Sequence, residues 1–212
     1  MAEKLGKIAD ELLAGNVEEV SKLTQELLDE NANPEDILQK GLFAGMDVVS
    51  KKFKECEMFI PEVLRSAKAM HAGMEKLRPL LSEGSGPSTG TVVMATVQGD
   101  LHDIGKNLAG MMMEGSGFNV VDMGIDQKTE DIINAVKEHK PQILGLSALL
   151  TTTMPKMGEV INALKEAGIR DQVKVMIGGA PVSEEFADEI GADAYAPNAS
   201  IGTEKAVELV KG

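Results

Sequence analysis

Gly99-Asp100-Leu101-His102-Asp103-Ile104-Gly105 decides how this chain is read. The residues just before it, Thr91-Val92-Val93-Met94-Ala95-Thr96-Val97, form an apolar, β-branched run that predicts a buried strand. The residues just after it, Lys106 to Glu114, predict a helix stopped by Gly115 and Gly117. His102 is therefore expected in a loop at the carboxyl end of a strand. In open α/β sheets, ligands bind at that edge. Asp100 stands two residues before His102, close enough for its carboxylate to reach the imidazole, fix its tautomer and raise its basicity. That is the partner expected behind a metal-ligating histidine. Taken alone, the pair also fits a plainer reading, in which Asp100 or Asp103 caps a helix and His102 is an ordinary surface residue.

Outward from this stretch, toward the carboxyl end, strands and helices alternate. Strands are predicted at Thr91–Val97, Asn119–Met123, Gln142–Ser147, Val173–Gly178 and Ala194-Tyr195. Helices are predicted near 104–115, 128–139, 155–167, 183–190 and 201–210. Such alternation implies a parallel sheet with helices on both faces. Right-handed crossovers then bring every strand-to-helix loop to one edge. The loops at Gly99–Asp103, Gly124–Lys128, Ser147–Met154, Gly178–Ser183 and Pro197–Ser200 can thus converge on one ligand.

Toward the amino end, residues 1–83 predict helices only. Leu5, Ile8, Leu12 and Leu13 make one stripe, and Val20, Leu23, Leu27 and Leu28 a second. Asn33-Pro34 starts a third helix carrying Ile37, Leu38, Leu42, Met46, Val49 and Phe53. A fourth begins near Pro61. Four amphipathic helices with short loops predict an antiparallel bundle. Gly41 and Gly45, one turn apart, fit either a close helix crossing or the approach of something flat and bulky. Residues 84–90, within the Gly/Ser-rich run from Ser82 to Gly90, read as a flexible linker to a second domain over 91–212.

The formal charge of −13 on 212 residues argues against nucleic acid or an anionic membrane as partner through a basic face. No apolar run is long enough to cross a bilayer, and the start of the chain lacks the apolar core of a signal peptide. One cysteine, Cys56, excludes an internal disulfide framework and makes a cytoplasmic location the natural expectation.

Three of the converging loops are chemically unusual. One carries Asp100 and His102. Another, Ser147-Ala148-Leu149-Leu150-Thr151-Thr152-Thr153, sets hydroxyls on an apolar segment. A third holds Gly178-Gly179, where a ligand could lie against bare backbone. Neither a Gly-x-Gly-x-x-Gly turn nor a P-loop lysine is present for a nucleotide phosphate. A protein-built zinc site needs three or four ligands, and the only other nitrogen or sulfur donors are His71, His139 and Cys56. A metal held by its own macrocycle needs only one. Cobalt in a corrinoid has four equatorial nitrogens, and a lone histidine would supply an axial ligand.

Asp100-x-His102-x-x-Gly105, then Ser147-x-Leu149, then Gly178-Gly179 resembles the three-part signature of base-off/His-on cobalamin-binding domains. Phe59-Ile60-Pro61-Glu62-Val63-Leu64 resembles part of the four-helix cap that precedes them. The whole chain is similar to the corrinoid proteins of methanol and methylamine methyltransferase systems and to the cobalamin module of methionine synthase. This resemblance implies a helical-bundle cap followed by a flavodoxin/Rossmann-like parallel sheet domain. It implies a cobalamin or related cobamide, cycling between methylcobalamin and cob(I)alamin. His102 would be the axial ligand to cobalt, and Asp100 with Thr153 its hydrogen-bonded relay. The cofactor would be lined by Asp100, His102, Asp103, Ile104, Gly105, Ser147, Leu149, Thr151, Thr153, Gly178, Gly179, Tyr195, Ala196 and Ala199.

The same resemblance implies a methyl carrier with no turnover of its own. A substrate-specific methyltransferase would load it from methanol, a methylamine, a betaine or a methoxylated aromatic. A second would unload it to a thiol or tetrahydrofolate, and a reductive activator would attend it. The cap would cover the upper cobalt face and swing on the linker. Competing readings are the binding subunit of a radical mutase, which usually accompanies a barrel rather than a helical cap, and a non-catalytic α/β interaction domain.

Overall fold

The computed structural model describes residues 2–77, 79–80 and 89–211. The expected linker at 84–90 lies outside these residues except for Thr89 and Gly90. The chain divides into two compact units, Met1–Ser88 with Glu114–Gly117, and Thr89–Met113 with Phe118–Gly212.

The first unit is helical: α1 (Ala2–Ala14), α2 (Val17–Asp29), α3 (Pro34–Ile37), a π-helical segment (Leu38–Phe43), α4 (Ala44–Lys54) and α5 (Ile60–Leu77). Asn33 caps α3 by accepting a hydrogen bond from the Glu35 amide at 3.0 Å, and Pro34 sits in the first turn. The expected third helix is therefore present, but with a π turn inside it. A β-carbon on Gly45 would lie 3.0 Å from Ala9 Cα, and one on Gly41 would lie 3.3 Å from Ile8 Cγ2. Both glycines thus serve the close crossing with α1. The widened turn buries Leu38, Gly41, Leu42 and Phe43 together, and Leu42 fills the notch left by Gly73 on α5.

The second unit alternates as expected: β1 (Gly90–Thr96), α6 (Ile104–Gly115), β2 (Phe118–Asp122), α7 (Thr129–His139), β3 (Ile143–Ser147), α8 (Pro155–Glu166), β4 (Lys174–Gly178), α9 (Glu184–Ile190), β5 (Ala194–Ala196) and α10 (Ala199–Lys211). A short 3₁₀ turn, Arg170–Gln172, precedes β4. All pairings are parallel, in the order β2-β1-β3-β4-β5. This is the flavodoxin-like order.

Side-chain alternation divides the core. Val93, Ala95, Leu144, Leu146, Val175 and Ile177 face α7, α8 and α9. Val92, Met94, Ile143 and Met176 face Met113 of α6 and Ala206 of α10. Because α6 and α8 leave β1 and β3 on opposite faces, a crevice opens between the carboxyl ends of those two strands. Helix α10 starts two residues earlier than the sequence reading, because Asn198 Oδ1 accepts the Ile201 amide at 2.9 Å. Among the described residues, no helix is long and apolar enough to cross a membrane.

Candidate cofactor site

His102 stands in the β1–α6 loop, at the crevice. Its ring Nδ1 lies 2.8 Å from Asp100 Oδ1, and the same oxygen accepts the His102 amide at 3.1 Å. The other carboxylate oxygen, Oδ2, accepts the Leu149 amide at 2.7 Å, the Leu150 amide at 3.1 Å and the Thr153 hydroxyl at 2.6 Å. Asp100 is fully buried, while the His102 side chain is half exposed. Burial of the carboxyl opposes its ionisation. The Thr153 hydroxyl, the Leu149 amide and the His102 donors outweigh that, holding its pKa well below the usual carboxylate range. A charged, immobile Asp100 orients the ring through Nδ1 and leaves Nε2 without a partner inside this loop.

The loop is held from two other sides. Thr96 donates its hydroxyl to the His102 carbonyl at 3.2 Å. On the β2–α7 loop, Asp126 Oδ1 accepts the Gly99 amide at 2.7 Å, and the Asp126 amide donates to the Asp100 carbonyl at 3.1 Å. Asp103 starts α6: its carbonyl accepts the Asn107 amide and its Oδ2 accepts Asn107 Nδ2 at 3.0 Å.

Beside this loop a cavity of about 490 Å³ descends between the sheet, α6 and α10. Of the residues singled out in the sequence, His102, Asp103, Ile104, Gly105, Ser147, Leu149, Gly178, Gly179, Ala196 and Ala199 line it. Asp100 and Thr153 do not line it: Asp100 contacts His102 Nδ1 and the Thr153 hydroxyl. Two residues do not join them. Thr151 is exposed and lines no part of the cavity. Tyr195 packs against the core on the α7–α9 face, because strand alternation turns it away from the side that Ala196 faces.

The two loop glycines line the cavity, and the protein's own backbone crowds them as well. A β-carbon on Gly179, which has φ +132°, would lie 1.8 Å from the Ala148 carbonyl oxygen. One on Gly178 would lie 3.0 Å from the Ala196 carbonyl oxygen. The protein's own loops require them. Gly105 is the contrasting case: a β-carbon there would meet nothing within 4 Å, so this wall is open for something else.

Sequence reasoning missed Lys106 and the deeper lining residues Met94, Ala109, Met113, Gly145, Met176 and Gly202. Lys106 is buried, with its ammonium donating to Asp122 Oδ1 and to Asn107 Oδ1. A cation in the first turn opposes the helix dipole, and that misfit was a usable signal. Gly145 inside a strand was another.

Among the described residues, no cluster of three or more His, Cys, Asp or Glu could hold a metal ion. A B12 binding domain model matches residues 90–201, and a second model of that description matches residues 5–78. The chain belongs to the B12-binding corrinoid protein family. It is 48% identical over 179 residues to dimethylamine corrinoid protein 1 of Methanosarcina acetivorans, covering 84% of each. It is 33% identical to a chain of the methanol:cobalamin methyltransferase complex of Methanosarcina barkeri, with a TM-score of 0.91 over 99% of this chain and 80% of that one. A cobalamin-binding protein from Desulfitobacterium hafniense matches with a TM-score of 0.77 at 33% identity, over 97% and 98%.

The residues of this corrinoid protein fit such a cofactor. Leu101 and Ile104 are strongly exposed and Leu149 and Leu150 partly so, giving an apolar rim around His102 against which a flat macrocycle can rest. The amino ends of α6 and α10 both border the cavity, at Asp103–Lys106 and Pro197–Ala199. A helix amino end favours an anionic group such as a phosphodiester, although in α10 the Ile201 amide already bonds Asn198 Oδ1.

Proposed function

We propose that this corrinoid protein is a methyl carrier in which His102 Nε2 would hold the cobalt of a cobamide bound base-off/His-on. The observation that carries this reading is the buried, charged Asp100 fixing His102 through Nδ1 beside a cavity large enough for a detached nucleotide tail. When bound, the corrinoid supplies a cobalt that can take up and release a methyl group. The chain's own residues then hold the axial ring and its proton. With Nε2 holding the cobalt, Nδ1–H would donate to Asp100 Oδ1, and the carboxylate would keep that proton on Nδ1 and the ring in one orientation. The Thr153 hydroxyl keeps Oδ2 saturated throughout. Ser147, Leu149 and Gly178 border the tail, with Ala196 and Ala199 opposite.

The chain turns over no substrate alone. One methyltransferase, specific for methanol, a methylamine, a betaine or a methoxylated aromatic, loads it. A second passes the methyl group to a thiol or tetrahydrofolate, and a reductive activator restores the cofactor, all in the cytoplasm. The dimethylamine and trimethylamine corrinoid relatives and the methanol:cobalamin methyltransferase complex support this placing.

The test is reconstitution with hydroxocobalamin, desalting, and a visible spectrum beside His102→Ala. Roughly stoichiometric retention is expected, with a base-off/His-on spectrum that the variant loses. Retention with an unchanged spectrum in the variant would remove His102 from cobalt. No retention by a folded wild-type chain would remove the cofactor role.

A further inference from the structure

The cavity beside His102 has a polar mouth and an apolar floor. Its polar lining side chains are His102, Asp103, Lys106, Ser147 and Asn198. All lie at loop level, in the first turn of α6, or at the last residue of β3. One rung lower in the sheet, about 6.6 Å deeper, Met94 pairs with Gly145 and Gly145 with Met176. Met113 and Ala109 of α6 and Gly202 of α10 close this level from above. Met94, Met113 and Met176 are all buried. The floor offers no free backbone group either. Parallel ladders run on both sides of β3, and the Met94 carbonyl accepts the Met123 amide.

We infer that this floor selects the lower ligand of the cobamide by polarity: it takes a phenolic or benzimidazole ring and discriminates against a purine. The inference rests on the corrinoid reading above, in which the detached tail enters this cavity. A phenolyl ring carries no polar ring atom. A detached benzimidazole carries one free nitrogen. A detached adenine carries three free ring nitrogens and an amino group. Each polar atom brought among thioethers and methyls loses its water partner without replacement. Thioether side chains adapt to shape, so ring size and methylation matter little. Gly145 makes the room: its β-carbon would meet Met94 Cε and Cγ at 3.5 Å, an ordinary contact, so alanine fits the fold but takes space from the floor.

The experiment titrates the cobamide-free full-length chain, by visible absorbance, with the aquo forms of p-cresolyl cobamide, cobalamin, adeninyl cobamide and cobinamide, which has no lower ring. Cresolyl cobamide is expected to bind at least as tightly as cobalamin, and adeninyl cobamide at least about tenfold more weakly. Gly145→Ala should weaken the tailed forms and leave cobinamide unchanged. Met176→Gln, which places an amide on the floor, should narrow the gap for adeninyl cobamide. Equal binding of adeninyl cobamide and cobalamin overturns the inference. So does equal binding of cobinamide and cobalamin, which would leave the corrinoid reading standing. Failure of all four ligands to bind overturns both.

Discussion

Thr153 Oγ1 lies 2.6 Å from Asp100 Oδ2 across 53 residues of sequence. This contact joins the β3–α8 loop to the histidine loop, and both oxygens of the carboxylate are thereby fully engaged. Removing the hydroxyl withdraws one donor from a buried charge. Thr153→Ala should cost about 1.5–3 kcal/mol of stability and lower the fraction of His102 ligated at neutral pH. Thr153→Ser should restore both. Urea unfolding of the cobamide-free chain and the spectrum of the hydroxocobalamin-loaded chain check this. Identical spectra for alanine and serine would remove Thr153 from the relay.

Asp100→Asn keeps the shape but not the chemistry. Donors approach both oxygens of Asp100. An amide must point its NH₂ at one of those groups, so the variant should unfold earlier than wild type and lose the His-on spectrum. Aspartate here also sets a pH dependence. Its folded pKa lies below the ordinary value of 3.8, so its stabilising contribution is complete above that value and is lost as pH falls below it. In the cobamide-free chain, the stability difference between wild type and Asp100→Asn should be constant at neutral pH and shrink below about pH 4. A difference that grew with acid would contradict a depressed pKa.

Gly179 and Gly105 should respond oppositely to alanine. At Gly179 the added carbon would collide with the Ala148 carbonyl at φ +132°, so Gly179→Ala should cost at least about 3 kcal/mol or fail to fold. At Gly105 it meets only open space, so Gly105→Ala should melt like wild type and retain cobalamin less well. A thermal melt and a desalting assay on the same samples separate the two.

The helical unit offers a further comparison. Gly45→Ala would bring its β-carbon to 3.0 Å from Ala9 Cα, against backbone that cannot rotate away. It should destabilise the unit by about 1–3 kcal/mol. Gly6, which has nothing within 4 Å, should accept alanine with a slight gain. Circular dichroism melts of the two variants give the comparison directly.

Period and punctuation make the sheet legible in the sequence. The buried run before Gly99, the glycine stops and the Asn33-Pro34 start each act locally, so each could be read locally. The loops holding His102, Ser147 and Gly178 follow from strand order alone. What escaped depends on partners distant in sequence. The π turn at Leu38–Phe43 answers to Ile8 and Gly73. Gly178 and Gly179, which line the cavity, are also crowded by Ala196 and Ala148. Tyr195 and Ala196 are neighbours in sequence, yet pleating sends them to opposite faces. The Leu149 and Leu150 amides, which donate to the same Asp100 oxygen as the Thr153 hydroxyl, carry no residue signature at all.

The amides of Leu149 and Leu150 also bear on whether this histidine could be moved to another protein. A designer who copied the seven residues from Gly99 to Gly105 onto another 2-1-3-4-5 sheet would transplant the imidazole but not its aim. The carboxylate would arrive without the donors that keep it charged in a dry interior, and it would protonate or turn outward. The smallest portable unit is discontinuous: the β1–α6 loop with the β3–α8 loop through Thr153, carried on two adjacent parallel strands. The same condition gives a rule for searching unfamiliar sheets. An Asp-x-His loop is a candidate axial-ligand site only where the next strand's loop turns its first amides back toward that aspartate.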